Sequence, residues 1–264
     1  TTALEVATRA TPTAPIIANG LVHVAVPKTR QLIAVHTRSG RTQWRITTSG
    51  QVDSPPTWHK GTLVYGTSDG HVVCRRARDG ALVWRFLAAP SHRRIMAHGK
   101  LESSWPVHGS VVVEGDQVYA LAGRSSFLDG GFSGWILNAE TGAIIDQVQI
   151  DAESEAGMEG KTSSKDAPGM TSDLLVSNGR TLFLRGRTIF LDVASAKKTP
   201  LLQPVAGFLD QTWFNRASHW KCGEAFCGET AVTAGGTVFS FSAYKRRGTD
   251  TAFYKPGNGT YELS

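Results

Sequence analysis

The chain of 264 residues has only three cysteines, Cys74, Cys222 and Cys227, and no two are adjacent. No apolar run approaches the ~20 residues that a membrane-crossing helix needs, so no membrane span is expected. No stretch shows helical periodicity bounded by caps, which argues against helical and α/β classes. No G-x-S-x-G stands on a strand-to-helix turn, the setting a nucleophile elbow needs, and the spacings H-x-E and H-E-x-x-H are missing, leaving nucleophilic and zinc-hydrolase chemistry without an anchor. GMEGKTS (157–163) has the tail of a phosphate-binding loop, but Glu155 stands where its first Gly belongs, and a solvated loop is expected. The chain opens TTALEVATRA, without a Met or an apolar leader, as a mature product would after removal of an export signal.

What is present is a repeat. AVHTRSGRTQW (34–44), CRRARDGALVW (74–84) and ILNAETGAIID (136–146) each run from a strand through a polar turn with Gly at a fixed place into a second strand. Trp44 and Trp84 stand four residues after Gly40 and Gly80, and Asp146 takes that place after Gly142. Five further turns, at Asn19-Gly20, Lys60-Gly61, Glu114-Gly115, Asn178-Gly179 and Gly235-Gly236, open hairpins. Each leads into an alternating segment such as LVHVAV or TLVYG. Similarity at a period near forty residues marks a radial or stacked repeat, here an all-β propeller with some blades incomplete or degenerate. Trp44 and Trp84 are expected to be buried staples between neighbouring blades.

A single propeller domain is expected over 1–264, with clear repeats over 14–150, an exposed polar insert at 151–172 and divergent blades over 173–264. Residues 201–234 fit no clean repeat. The net charge of +6 is carried in short clusters on turns, so no nucleic-acid partner is expected. Cys222 and Cys227 are close enough to bridge across a tight loop, or they remain free thiols; Cys74, on a strand, reads as a small apolar filler.

The turn pattern resembles the pyrroloquinoline-quinone-like (PQQ-like) repeat, roughly A-x-D-x-x-T-G-x-x-x-W, of quinoprotein dehydrogenases and of the propeller lipoprotein of outer-membrane assembly. VDSPPTWHKGTLVYGTSDGHVVCRRARDGALVWRFLAAP and RRIMAHGKLESSWPVHGSVVV are similar to a group of bacterial PQQ-binding-like propeller proteins. The chain departs from the pattern, with His36 and Arg76 at the usual acidic place and Ser39 and Asp79 at the usual Thr. The resemblance implies a location outside the cytoplasm, periplasmic or secreted, and in that oxidising setting a Cys222–Cys227 disulfide. Quinoprotein dehydrogenases hold their quinone with an adjacent-cysteine disulfide and a calcium or lanthanide ion. This chain lacks that pair, so the resemblance implies the fold without the cofactor; PQQ with calcium is the alternative.

Polar residues without a repeat role concentrate at Arg93, Arg94, His98, Glu102, Trp105 and His108, and again at Arg124, Ser125, Ser126 and Asp129. They flank the third hairpin on long connections of the kind that line a propeller's axial funnel. One reading is a pocket in which Arg and His hold an anionic ligand with Trp105 as a stacking wall. The other is a network of buried side chains that satisfies irregular backbone. No metal site is expected, because the spacing of His92, His98 and His108 fits no standard ligand pattern. The absence of catalytic motifs favours a binding or scaffold module for a protein or anionic polysaccharide. The alternatives are a PQQ- or metal-dependent oxidoreductase acting on an alcohol or sugar, or the propeller part of a larger enzyme.

Overall fold

In the computed structural model the described residues are 12–97, 99–109, 111–151, 172–177 and the strand segments beyond. The chain divides into two compact units, Thr1–Ser172 and Asp173–Ser264. Apart from a 3-10 turn at Pro27–Thr29, all regular structure among the described residues is β, so the all-β expectation holds.

The first unit has three four-stranded antiparallel sheets, each a meander in chain order. Sheet one holds β1 (Ile16–Ala18), β2 (Leu21–Val26), β3 (Gln31–His36) and β4 (Thr42–Thr47). Sheet two holds β5 (Thr57–His59), β6 (Thr62–Gly66), β7 (His71–Arg76) and β8 (Leu82–Leu87). A two-stranded ribbon, β9 (Arg94–Ala97) and β10 (Lys100–Ser103), comes next. Sheet three holds β11 (Val112–Glu114), β12 (Gln117–Ala122), β13 (Phe132–Asn138) and β14 (Ile144–Ile150). These sheets are propeller blades.

Among the described residues the second unit has three three-stranded sheets. They are β15 (Leu175–Ser177) with β16 (Leu182–Leu184) and β17 (Arg187–Ile189), β18 (Leu202–Pro204) with β19 (Trp220–Cys222) and β20 (Ala225–Gly228), and β21 (Thr230–Ala234) with β22 (Thr237–Tyr244) and β23 (Tyr254–Glu262). The middle sheet occupies the region where no repeat was legible. Its strands are three or four residues long and β19 shifts register on β20 at Trp220/Lys221, so alternation never runs long enough to read.

Period-two alternation sorts the side chains of the first unit into two inter-sheet cores. Leu21, Ala25, Leu32, Ala34 and Trp44 of sheet one meet Leu63, Tyr65 and Val73 of sheet two. The opposite face of sheet two supplies Val64, Val72, Cys74 and Trp84 to a core shared with Val118, Ala120 and Leu137 of sheet three. Cys74 is a buried free thiol in that core.

The indoles join these sheets by one repeated device. The Trp44 Nε1–H donates to the Ala77 carbonyl and that of Trp84 to the Ala139 carbonyl, both at 2.9 Å. Each acceptor lies three residues before the turn glycine of the next sheet, Gly80 or Gly142, and the indole rests on that glycine. A Cβ on Gly80 would stand 3.0 Å from the Trp44 ring, and one on Gly142 would stand 2.7 Å from the Trp84 ring. The glycine is therefore required twice over, for the left-handed φ of +73° or +72° and for the space. A bulge immediately precedes the staple position in all three sheets, leaving Gln43, Val83 and Ile145 out of the pairing. In sheet three that position holds Asp146, which is exposed and accepts from the Gln147 backbone N–H instead.

His23 is the one discordant group in the first core. It is fully buried, its ring centre 5.8 Å from that of Trp44, and neither ring nitrogen has a hydrogen-bond partner. Burial pushes its pKa below the ordinary 6.5, so the folded protein holds it neutral.

Trp44→Ala or Trp84→Ala should cost about 3–5 kcal/mol in denaturant unfolding. Gly142→Ala should cost clearly more than Gly115→Ala. Gly115 also has a left-handed φ but has open space around it, so equal losses would show that the indole seat contributes nothing. Because the folded state depresses the His23 pKa, the unfolded chain binds the extra proton and stability falls as pH drops below about 6.5. His23→Leu should flatten that slope and raise stability by about 1–3 kcal/mol, the cost of an unsatisfied buried polar group; an unchanged slope would assign the acid sensitivity elsewhere.

Candidate functional site

In an antiparallel meander, alternate connections emerge at opposite ends of the sheet. Residues 48–56, 67–70, 88–111 and 123–131 accordingly share one end of the first unit, and they are knitted together by backbone bonds. Ser68 N–H donates to Gln51 O, Ser103 N–H to Ser68 O, Val107 N–H to Thr67 O and Gly123 N–H to Pro106 O, all at 2.9–3.1 Å. The irregular backbone is thus satisfied by its neighbours, as buried loops require.

Most of the predicted cluster lies here, in two groups. In the first, Arg93 forms an ion pair with Asp129, donates from Nε to the Ser104 hydroxyl at 2.9 Å, and lies 5.2 Å above the Trp105 ring. The Trp105 Nε1–H donates to the Asp129 carbonyl at 2.9 Å, closing the loop. In the second, buried Glu102 accepts from Arg124 Nη2 at 2.6 Å and lies 3.8 Å from His108 Nε2. The other ring nitrogen of His108 bonds to Asp53. Arg124 also donates to the Ser103 carbonyl at 3.3 Å, while its Nε finds no partner.

Two predicted members stand apart. Arg94 is exposed on β9, its side chain on the outward face of the ribbon. The Ser125 hydroxyl accepts from the Phe127 backbone N–H at 3.3 Å, a local turn bond. His98 lies outside the described residues, as do most of the 151–172 insert and the side chains of Cys222 and Cys227. The backbone places Cys222 opposite Ala225 in the β19–β20 ladder, with Cys227 two residues further along β20.

Sequence reasoning missed Asp53 and the group around Asp69. Asp69-Gly70 reads as a turn former, yet its carboxylate meets the Thr67 hydroxyl, His71 at 3.3 Å and Arg85 at 3.5 Å. Burial alone would push this carboxyl up; hydrogen bonds from His71, Thr67 and Ser49 outweigh that and hold it well below the usual carboxylate range. The signal available was the recurrence of Asp in three of these four connections, at 53, 69 and 129.

The chemistry of this end is self-neutralising: Arg93 with Asp129, Arg124 with Glu102, His108 with Asp53, and Arg85 with Asp69. The first three pairs tie three connections together, the fourth ties the 67–70 connection to β8, and the set leaves little uncompensated charge for a bound anion. It does not fit a quinone held with calcium either. The adjacent cysteines are missing from the sequence, and these carboxylates already serve cationic or imidazole partners. Among the described residues, no three His, Cys, Asp or Glu side chains converge as metal ligands.

A profile of the family described as outer membrane protein assembly factor BamB matches residues 2–220. The chain belongs to this family. A search of curated proteins gave no match. Among solved structures, BamB from Moraxella catarrhalis is similar over 87% of this chain and 55% of its own, at 14% identity and a TM-score of 0.43. A europium-containing methanol dehydrogenase is similar over 53% of this chain and 25% of its own, at 14% identity and 0.41. A quinohemoprotein alcohol dehydrogenase from Pseudomonas putida is similar over 52% and 20%, at 19% identity and 0.42. The chain therefore spans a quarter or less of the dehydrogenases it matches and about half of the BamB structure.

Removing one partner of a buried ion pair strands the other, so Arg124→Met alone should destabilise by about 3–5 kcal/mol in denaturant unfolding. The double variant Arg124→Met/Glu102→Leu should recover part of that loss. Losses that simply add would contradict the coupling.

Proposed function

We propose that this family member is an extracytoplasmic binding or scaffold module that presents the joined connections of its first unit to a protein or anionic polysaccharide. The observation that carries this reading is the internal pairing of the charged side chains on those connections. An active site keeps charge available for the reacting group; here that charge is spent on holding loops together. Membership of a family described by an assembly factor points the same way. In the oxidising compartment this reading implies, we expect Cys222 and Cys227 to form a disulfide that matters locally, since closing so short a loop removes little chain entropy.

The test is incubation with PQQ and calcium followed by absorbance spectroscopy and assay on alcohols and sugars. The expected result is no bound-quinone absorption and no turnover above background. A stoichiometric quinone spectrum with turnover would overturn the reading in favour of a dehydrogenase. Separately, non-reducing peptide mass spectrometry of exported protein should recover Cys222 and Cys227 in one linked species; two free thiols would contradict the compartment argument.

A further inference from the structure

The ribbon β9–β10 has two unlike faces. Ile95, Ala97 and Glu102 are turned inward, Glu102 into its pair with Arg124. Arg94, Met96 and Leu101 are turned outward. Met96 and Leu101 are direct cross-strand partners, and they are 69% and 59% exposed. The ribbon is held at its base by Arg93–Asp129 and by Ser103 N–H on Ser68 O, and along its length by Lys100 Nζ on Gln51 Oε1 at 3.0 Å. The connection carrying Asp129 adds Phe127 and Leu128, 50% and 53% exposed. An anchored strand pair with aliphatic side chains facing water has the features of a contact surface: exposed apolar anchors on a rigid support.

We propose that the outward face of this ribbon docks an extended, acidic segment of a partner protein, with apolar side chains on Met96 and Leu101 and a carboxylate on Arg94. The proposal rests on the binding-module reading above and names its partner's chemistry. Charge selects the acidic partner: the ribbon's own carboxylate, Glu102, is on the inner face and already paired, while Arg94 on the outer face has no partner among the described residues. The aliphatic pair favours protein over polysaccharide, because sugars reward aromatic platforms and hydrogen bonds rather than a thioether and an isobutyl group.

The test uses the full chain as bait for a displayed library of random linear peptides, with affinities of the selected peptides measured by biolayer interferometry. Selected peptides should combine Asp or Glu with Leu, Ile or Phe. Met96→Glu and Leu101→Glu should each weaken them at least about tenfold. Arg94→Glu should weaken them and restore affinity for a peptide whose acidic residue is changed to Lys. All three positions are exposed, and circular dichroism is the check that the variants fold. Selected peptides whose binding is unmoved by these substitutions would overturn the ribbon proposal and leave the binding-module reading standing. Failure to select any peptide would overturn it as well. So would salt-sensitive binding to the anionic polysaccharide alginate that is indifferent to Met96 and Leu101, which would keep the module reading with the other partner class. Quinone-dependent turnover would remove the underlying reading itself.

Discussion

The contact on which the first unit depends is an indole lying on a glycine. Each blade must bury its apolar faces against neighbours, and flat sheets can slide; a planar ring with one N–H fixes both separation and register. Trp44 reaches the Ala77 carbonyl and Trp84 the Ala139 carbonyl at the same distance. The receiving turns are bare at Gly80 and Gly142 because any side chain would lift the ring away. The bulge just before each indole turns the start of the outer strand and so helps aim the ring. Indole, glycine and bulge occur together at both junctions, whereas sheet three keeps the bulge but carries Asp146 in place of the indole.

Once the sheets are fixed in this way, their connections are brought together at one end whether or not they attract one another. Four carboxylates and the cations that meet them convert that proximity into a rigid body. Burying such pairs contributes little net stability when both members are present, but it penalises any arrangement that separates them. The result is a platform with few free charges in its interior and a ribbon on its outside that presents Met96, Leu101 and Arg94 to solvent. His23 shows the opposite case, a polar ring buried without compensation in the first inter-sheet core.

The repeat was legible because turn chemistry is local. Gly40, Gly80 and Gly142 announce left-handed turns, and alternation in LVHVAV or TLVYG announces half-buried strands without reference to anything distant. The propeller architecture followed from those signals and from the resemblance they carried. Legibility ended where partners are far apart in the chain. Arg93 and Asp129 are 36 residues apart and His108 and Asp53 are 55 apart, so sequence could place the charges on neighbouring connections but could not pair them. Arg94 was grouped with Arg93 because adjacent residues share a connection; Arg93 precedes β9 and pairs with Asp129, whereas Arg94 begins the strand and is exposed. Asp69 was passed over because a turn role explained it well enough. The sheet containing β19 escaped because three-residue strands hold too little alternation to detect.

The central claim is that the cations of the connections are committed to internal carboxylates and not held for a ligand. Nitrogen-15 NMR of the arginine guanidinium groups addresses it directly, with the full chain titrated with sulfate and then with a soluble dicarboxylate. Arg93 and Arg124 should keep slowly exchanging side-chain N–H signals whose shifts do not move, while exposed Arg94 alone responds. Saturable shifts at Arg93 and Arg124, with Arg94 unaffected, would contradict the account and identify the connections as an anion-binding pocket.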